Sequence, residues 1–254
     1  MANNMMMMGC GVTGTTTVAV NTNASQFTAA TSEYLSRADE ALLSTGDIDF
    51  NVGCWVYLDS KTAFRELITK YNVAGSREYV LEYSSTSDRF QFLVYDGTAA
   101  IGTAVANTLG IPATATWYFV QGFHDSVANT VGISVNNGTV DSVTTGAGVP
   151  IDTTAGFLIG AVISGAPTLF HDGRMQSAFF AKSKLSTTVI TSLYNAGVPK
   201  GWCQLTGAEQ ALFTGWWDLG EASGSRADST ANALTLTDNN TVTGNPGSRS
   251  GNCL

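Results

Sequence analysis

Charged side chains are scarce in this chain. They make up 13% of its 254 residues, about half of the ~25% usual in soluble domains. Thr, Ser, Asn and Gly must therefore supply the polar surface, and these residues suit strands and turns. Lys and Arg number 12 against 20 Asp and Glu, for a net charge of −8, and the cations never cluster. That excludes a nucleic-acid partner, because nothing replaces the counterions of a phosphate backbone. Proline is rare, with 5 against 27 glycines, so the chain is no Pro-rich stalk. No run of about 18 apolar residues occurs, which excludes membrane insertion by an apolar helix.

Histidine is limited to His124 and His171. The cysteines Cys10, Cys54, Cys203 and Cys253 lack the CxxC spacing of zinc or redox sites. Cys54 falls on the apolar face of a strand, as a small buried hydrophobe. A disulfide between Cys10 and Cys253, near opposite ends of the chain, stands as an open alternative to free thiols. The N-terminus has no basic region and only Met5–Met8 as an apolar run, too short for a secretory signal. Residues 1–16 read as a flexible or docking tail.

What the chain does have is period-2 alternation. Phe50, Val52, Cys54, Val56 and Leu58 fall on one face of a strand, giving it a fully apolar side. Tyr79, Leu81 and Tyr83 alternate with Glu78, Val80 and Glu82. The turn triplet Thr86-Ser87-Asp88 then leads to Phe90, Phe92 and Val94, so the two runs form a hairpin. Trp117, Phe119 and Phe123 share one side of a further strand, and 157–162 and 173–181 add others. Asn137-Gly138 predicts a type I′ turn that pairs Val135 with Val140 and Ile133 with Ser142. Helical signals are short. Ser186 caps a segment over 185–196 that stops at Gly197, and Thr206-Gly207-Ala208-Glu209 has the capping-box pattern. The fold class is all-β, with a sandwich or jelly-roll architecture.

Several stretches resemble laminin G-like domains of the concanavalin A-like lectin/glucanase superfamily. They are Gln26-Phe27-Thr28-Ala29-Ala30, Ser32 to Asp39, Leu43 to Phe50 and Trp55-Val56-Tyr57-Leu58. Trp117-Tyr118-Phe119-Val120, Phe123-His124-Asp125, Phe170 to Arg174 and Leu193 to Gly197 follow in order. The resemblance covers nearly all of the chain after about Ser25 and implies a jelly-roll β-sandwich over 17–254. One segment is out of order. Trp216-Trp217-Asp218-Leu219 and Leu236 to Val242 resemble the part that usually precedes the block at Gln26. A circular permutation, with 205–254 supplying the displaced first strands, is the favoured account because domain termini commonly lie close together. Strand exchange with a neighbouring copy and a tandem-repeat remnant are the alternatives.

The superfamily includes glycoside hydrolases, which act through paired carboxylates. Glu78 and Glu82 lie four residues apart on one strand, too far for a retaining pair at roughly 5 Å; they read as a solvated strand face. The chain is expected not to be an enzyme. His124-Asp125 and His171-Asp172 read as turn chemistry at strand ends. The resemblance admits a calcium ion, for which Asp47, Asp125 and Asp172 are the candidates, and no other cofactor. Trp216 and Trp217 are adjacent, so in a strand one must face away from the core. That residue is expected at an interface rather than as a sugar-stacking platform. The resemblance implies a non-enzymatic bacteriophage structural protein on the virion surface, as a head-decoration, fibre or tail component. Its partners would be other virion proteins, copies of itself or host-surface glycans. The alternative is a carbohydrate-binding module or adhesin, extracellular on a cell surface.

Overall fold

The computed structural model describes residues 20–21, 24–245 and 252–253; the 1–16 tail lies outside them. In chain order the strands are β1 (Val20–Asn21), β2 (Ala24–Phe27), β3 (Tyr34–Arg37), β4 (Phe50–Leu58), β5 (Arg65–Asn72), β6 (Ser76–Ser84), β7 (Arg89–Gly97) and β8 (Ala100–Val105). There follow β9 (Trp117–Asp125), β10 (Thr130–Val135), β11 (Asp141–Thr144), β12 (Phe157–Ile159), β13 (Val162–Ser164), β14 (Ala166–Thr168) and β15 (Gly173–Ala181). After the helices α1 (Thr187–Tyr194) and α2 (Gly207–Gln210) come β16 (Gly215–Trp217), β17 (Thr237–Asn239), β18 (Thr243–Asn245) and β19 (Asn252–Cys253).

Two sheets form the body. The first has the order β11-β10-β9-β4-β15-β2-β18, with β16 also on β15. The second has the order β17-β3-β12-β5-β6-β7-β8, with the β13–β14 hairpin beside β5. Their inner faces carry the alternating apolar residues. Phe50, Val52, Cys54, Val56 and Leu58 of β4 meet Tyr79, Leu81 and Tyr83 of β6 and Phe90, Phe92 and Val94 of β7. Burying a side chain of this size stabilises by roughly 1.5–3 kcal/mol. Cys54 is a free, buried thiol, and burial raises its pKa. Cys203 is disulfide-bonded; Cys10, one half of the Cys10–Cys253 alternative, lies outside the described residues.

The first sheet has a second apolar layer on its outer face. Trp55, Trp117, Phe119, Phe179 and Trp216 are covered there by Leu185, Ile190, Leu193, Leu205 and Phe213. Those covering residues come from 182–214, which is held in place by its caps. Ser186 Oγ accepts the Val189 N–H at 3.3 Å. Thr206 Oγ1 accepts the Glu209 N–H at 3.2 Å, and Glu209 Oε2 accepts the Thr206 N–H at 2.7 Å.

The 215–245 segment adds strands to both sheets of its own chain. Its β16 pairs with β15, β17 with β3, and β18 with β2. Trp217 stacks on Phe157 at 5.1 Å and donates from Nε1 to Leu234 O at 2.8 Å. Arg226 is fully buried; it donates to Ser25 Oγ at 2.8 Å, to Val242 O at 2.9 Å and to Gly224 O.

The β10–β11 hairpin departs from expectation by one residue. Asn136 and Asn137 take the two positive-φ positions, at 52° and 56°, and Gly138 N–H bonds Val135 O at 2.9 Å. Asparagine is among the few non-glycine residues that adopt this conformation, and here the turn forms one residue earlier than Asn137-Gly138. Ile133 consequently pairs with Asp141 and Gly132 with Ser142. The slip changes faces, as a one-residue shift must. Val143 packs against the inter-sheet core, while Val140 and Ser142 turn to the outer face, where they line a cleft.

Candidate functional site

The three aspartates considered for calcium do not converge. Asp125 follows His124, which pairs with Phe50 at one end of β4. Asp172 precedes Gly173, which pairs with Leu58 at the other end. Eight residues of extended strand separate the two ends, roughly 26 Å at ~3.3 Å per residue. Asp47 is exposed in the loop before β4. Asp125 is bound by Lys184 at 2.7 Å and accepts the Ala128 N–H; the lysine's hydrogen bond is the main reason its pKa is lowered. Asp172 faces Arg65 at 3.5 Å and accepts the Ala29 N–H. Carboxylates already neutralised by cations do not fit a calcium site, and no group of three or more candidate metal ligands occurs among the described residues. His124 and His171 are both fully buried. Burial, with Arg65 nearby, lowers the His171 pKa to about 3, so its ring is neutral.

Trp216 and Trp217 point to opposite faces of the first sheet, yet neither reaches the surface: they are 2% and 0% exposed. Trp216 lies between Phe179 and Phe213 under the 182–214 cover, with ring centroids at 5.9 and 4.9 Å. The expected exposed tryptophan is absent because that cover, invisible in the local pattern, roofs the outer face.

Glu78 and Glu82 are not a solvated face either. Glu78 is fully buried and pairs with the equally buried Lys70 at 2.6 Å. It also accepts hydrogen bonds from the N–H and hydroxyl groups of both Thr45 and Thr153. It ties two loops to β6. Glu82 stands opposite Glu66 across β5 and β6, and the two carboxyls hydrogen-bond each other. Carboxyl groups in direct contact leave no room for a sugar between them, so this pair lacks the spacing of either glycosidase class.

A cleft of about 330 Å³ lies between the β10–β11 hairpin and the start of α1. Gln121 and Ser134 form its floor, with Asn51 behind them. Asn51 donates from Nδ2 to Gln121 Oε1 and to Gly122 O. Gln121 donates from Nε2 to Ser134 Oγ at 2.8 Å. The Leu185 N–H donates to Asn51 Oδ1 at 2.9 Å, which fixes the amide's orientation. Ser134 accepts from Gln121 and so retains its own O–H to donate. Phe123, Val140 and Ile190 form apolar walls, and Thr187, Asn137 and Lys184 stand at the rim. Lys184 Nζ lies 4.9 Å from the Phe123 ring centroid while Asp125 holds it. The Phe123 ring lies across β10 only because residue 132 is glycine: a Cβ there would sit 2.3 Å from the ring. Asn137 Oδ1 accepts from Thr191 Oγ1 at 3.1 Å, tying the hairpin tip to α1.

Of the sequence-derived candidates, only Asp125 borders this cleft, as the anchor of Lys184. The sequence motifs do not point to Gln121, Ser134 or Lys184. Gln121 carried a signal, being the polar residue on a strand face otherwise made of Trp117, Phe119 and Phe123. Lys184 carried none, because its place depends on the path of the 182–214 segment.

No family model and no curated protein sequence matches this chain. Solved structures do. A candidate carbohydrate-binding protein from Bacteroides ovatus aligns with a TM-score of 0.65 at 15% identity, over 89% of this chain and 60% of the other. The heptameric SAP-like pentraxin of Limulus polyphemus aligns at 0.55 and 8% identity, over 70% of this chain and 83% of that one. Domains LG4-5 of the mouse laminin alpha1 chain align at 0.48 and 14% identity, over 64% and 41%. The chain thus spans three-fifths of the length of the Bacteroides protein. At these identities the likeness is one of fold, and the fold is a concanavalin A-like jelly-roll β-sandwich.

Proposed function

We propose that this chain is a non-catalytic, lectin-like module that binds a glycan in the cleft between the β10–β11 hairpin and α1. One observation carries the reading: Gln121 and Ser134, oriented from behind by Asn51, form the floor, while Phe123, Val140 and Ile190 form apolar walls. Sugars present hydroxyls in their plane and C–H groups on their faces, and such a cleft answers both. Its volume of about 330 Å³ falls within the usual range for small-molecule sites, about 300–1,000 Å³. Lys184 at the rim adds a cationic donor for an acidic or hydroxyl-rich sugar. The description of the Bacteroides ovatus protein as a candidate carbohydrate binder agrees with this reading.

Glycan-array screening followed by titration calorimetry tests it. Ser134→Ala and Lys184→Ala should each weaken binding about tenfold, the order expected for one hydrogen bond lost to a bound ligand. Gly132→Ala should weaken it further by pushing the Phe123 ring into the cleft. Absence of binding to every glycan at millimolar concentration would overturn the proposal. So would binding that all three substitutions leave unchanged.

Placement on a virion surface, as a head-decoration, fibre or tail component among copies of itself or other virion proteins, draws on the sequence resemblance alone. An extracellular or cell-surface placement draws on the lectin-like fold. Mass spectrometry of purified particles separates them, since absence from virions removes the first.

A further inference from the structure

The outer face of the second sheet holds a separate cleft of about 200 Å³. Glu66 and Glu82 line it from β5 and β6, directly opposite each other. Glu66 is 1% and Glu82 6% exposed. Gln91, opposite Glu82 on β7, donates its amide to Glu82 Oε1. Beyond the carboxyl-to-carboxyl contact, Glu66 Oε2 is buried without a hydrogen-bond partner among the described residues. No ion pair reaches either carboxyl among those residues, whereas the other buried glutamate on β6, Glu78, has Lys70 at 2.6 Å. The fold thus gives one buried carboxylate its ammonium and leaves the neighbouring pair without one.

The walls narrow the occupant. Tyr71 and Tyr95 meet edge to face with centroids 5.3 Å apart, and Phe64 and Val80 complete an apolar surround. A calcium ion takes six to eight oxygens, more than two carboxyls supply when one already accepts from Gln91. A primary ammonium needs only about three acceptors, and its carbon stem suits the aromatic walls, where a cation gains from ring faces. The other charged or titratable groups nearby are Tyr71 on β5, Arg77 on β6 and Tyr95 on β7. Arg77 is engaged elsewhere, donating to Val73 O and Thr98 O with its guanidinium 5.3 Å from the Tyr71 ring. The cleft-lining residues of the β13–β14 side, Val162, Ser164 and Leu169, carry no charge.

We propose that this cleft binds a primary ammonium group on a short organic scaffold, held between Glu66 and Glu82. The site is independent of the glycan cleft on the first sheet. Burial raises the pKa of both carboxyls, and the neighbouring Glu82 charge raises Glu66 further. The pair therefore keeps a proton at pH values where ordinary carboxyls have lost theirs. An arriving ammonium displaces that proton to solvent, so affinity should rise with pH while the amine stays charged.

Two sources carry the required chemistry, an amino sugar and a lysine side chain. Titration calorimetry of the full chain with glucosamine and with Nα-acetyl-lysine methylamide separates them, with N-acetylglucosamine as the uncharged control. Binding of either amine at pH 7, at least tenfold weaker at pH 5 and accompanied by proton release in buffers of different ionisation enthalpy, is the expected result. Glu66→Gln should weaken it at least tenfold, and Tyr95→Leu provides a second variant should the first fail to fold. Lys184→Ala, which alters only the other cleft, should leave amine affinity unchanged. No binding of either amine at millimolar concentration, or equal affinity in Glu66→Gln, would overturn the proposal without touching the glycan reading.

Discussion

Lys70 and Glu78 meet across β5 and β6 at 2.6 Å with neither side chain exposed. A buried ion pair is expensive to desolvate, and it persists only where further hydrogen bonds satisfy both ions. Glu78 has four of these, from Thr45 and Thr153, and Lys70 also bonds Asp39 and Thr153 O. Glu78→Ala should therefore cost about 2–4 kcal/mol, because Lys70 keeps Asp39 as its partner while the Thr45 and Thr153 N–H groups lose their acceptor. The double change Lys70→Met with Glu78→Leu should recover only part of it, because the Thr45 and Thr153 amides stay orphaned. Urea unfolding midpoints of the three variants decide this.

Two buried groups give the stability opposite dependences on pH. His171 titrates at about 3 in the folded chain and near 6.5 when unfolded. Its contribution is full above pH 6.5 and is lost as pH falls from there towards 3, at up to about 1.4 kcal/mol per unit. The Glu66–Glu82 pair is raised by burial. Its contribution is present below the ordinary carboxyl value and is lost as pH rises through the folded value. Glu66→Gln should accordingly stabilise the protein relative to wild type at pH 8, with the gain shrinking towards pH 4. His171→Phe should flatten the slope between pH 6.5 and 4. Denaturation midpoints measured at pH 4, 6 and 8 test both signs.

Arg226 joins the carboxyl-terminal segment to the first strand of the sandwich. Its guanidinium is buried and bonds Ser25, Val242 and Gly224; Glu221 lies at 3.7 Å. Arg226→Ala should cost several kcal/mol, as removal of one member of a buried hydrogen-bonded network does. A chain ending near Trp202 should aggregate, because β2 and β3 would lose their outer neighbours and become open edges. A soluble, cooperatively unfolding fragment of that length would contradict the pairing of β17 and β18 described above.

The sheets were legible in the sequence where one face is apolar and the other is not. The alternation of β4 and the Thr86-Ser87-Asp88 hairpin needed no tertiary knowledge, and the caps at Ser186 and Thr206 are local chemistry. The misreadings share one cause. One of Trp216 and Trp217 was expected at the surface, but the 182–214 cover lies over Trp216. Glu82 was judged against Glu78 on its own strand, whereas its partner Glu66 faces it from the next. Such pairings are set by register, which the linear pattern does not carry. At the β10–β11 turn the chemistry was read correctly but assigned one position late, since Asn136-Asn137 and Asn137-Gly138 both accommodate positive φ. Gln121 shows what a finer reading would use: a polar side chain on an otherwise aromatic strand face.

The passage from β17 to β18 takes only Asn240, Thr241 and Val242, and it carries the chain from the second sheet to the first. Asn240 Nδ2 donates to Ser32 O at 2.8 Å, and the Val242 N–H to Asp238 Oδ1 at 2.8 Å. The sandwich is therefore bound like a book along this spine. The cleft floored by Gln121 and Ser134 is cut into the first sheet near the opposite fore-edge, where β8 and β11 end their sheets. That fore-edge is clasped as well, since Thr108 after β8 donates from its N–H and its hydroxyl to Asp141 of β11, so the leaf that carries the cleft is held along both of its long margins.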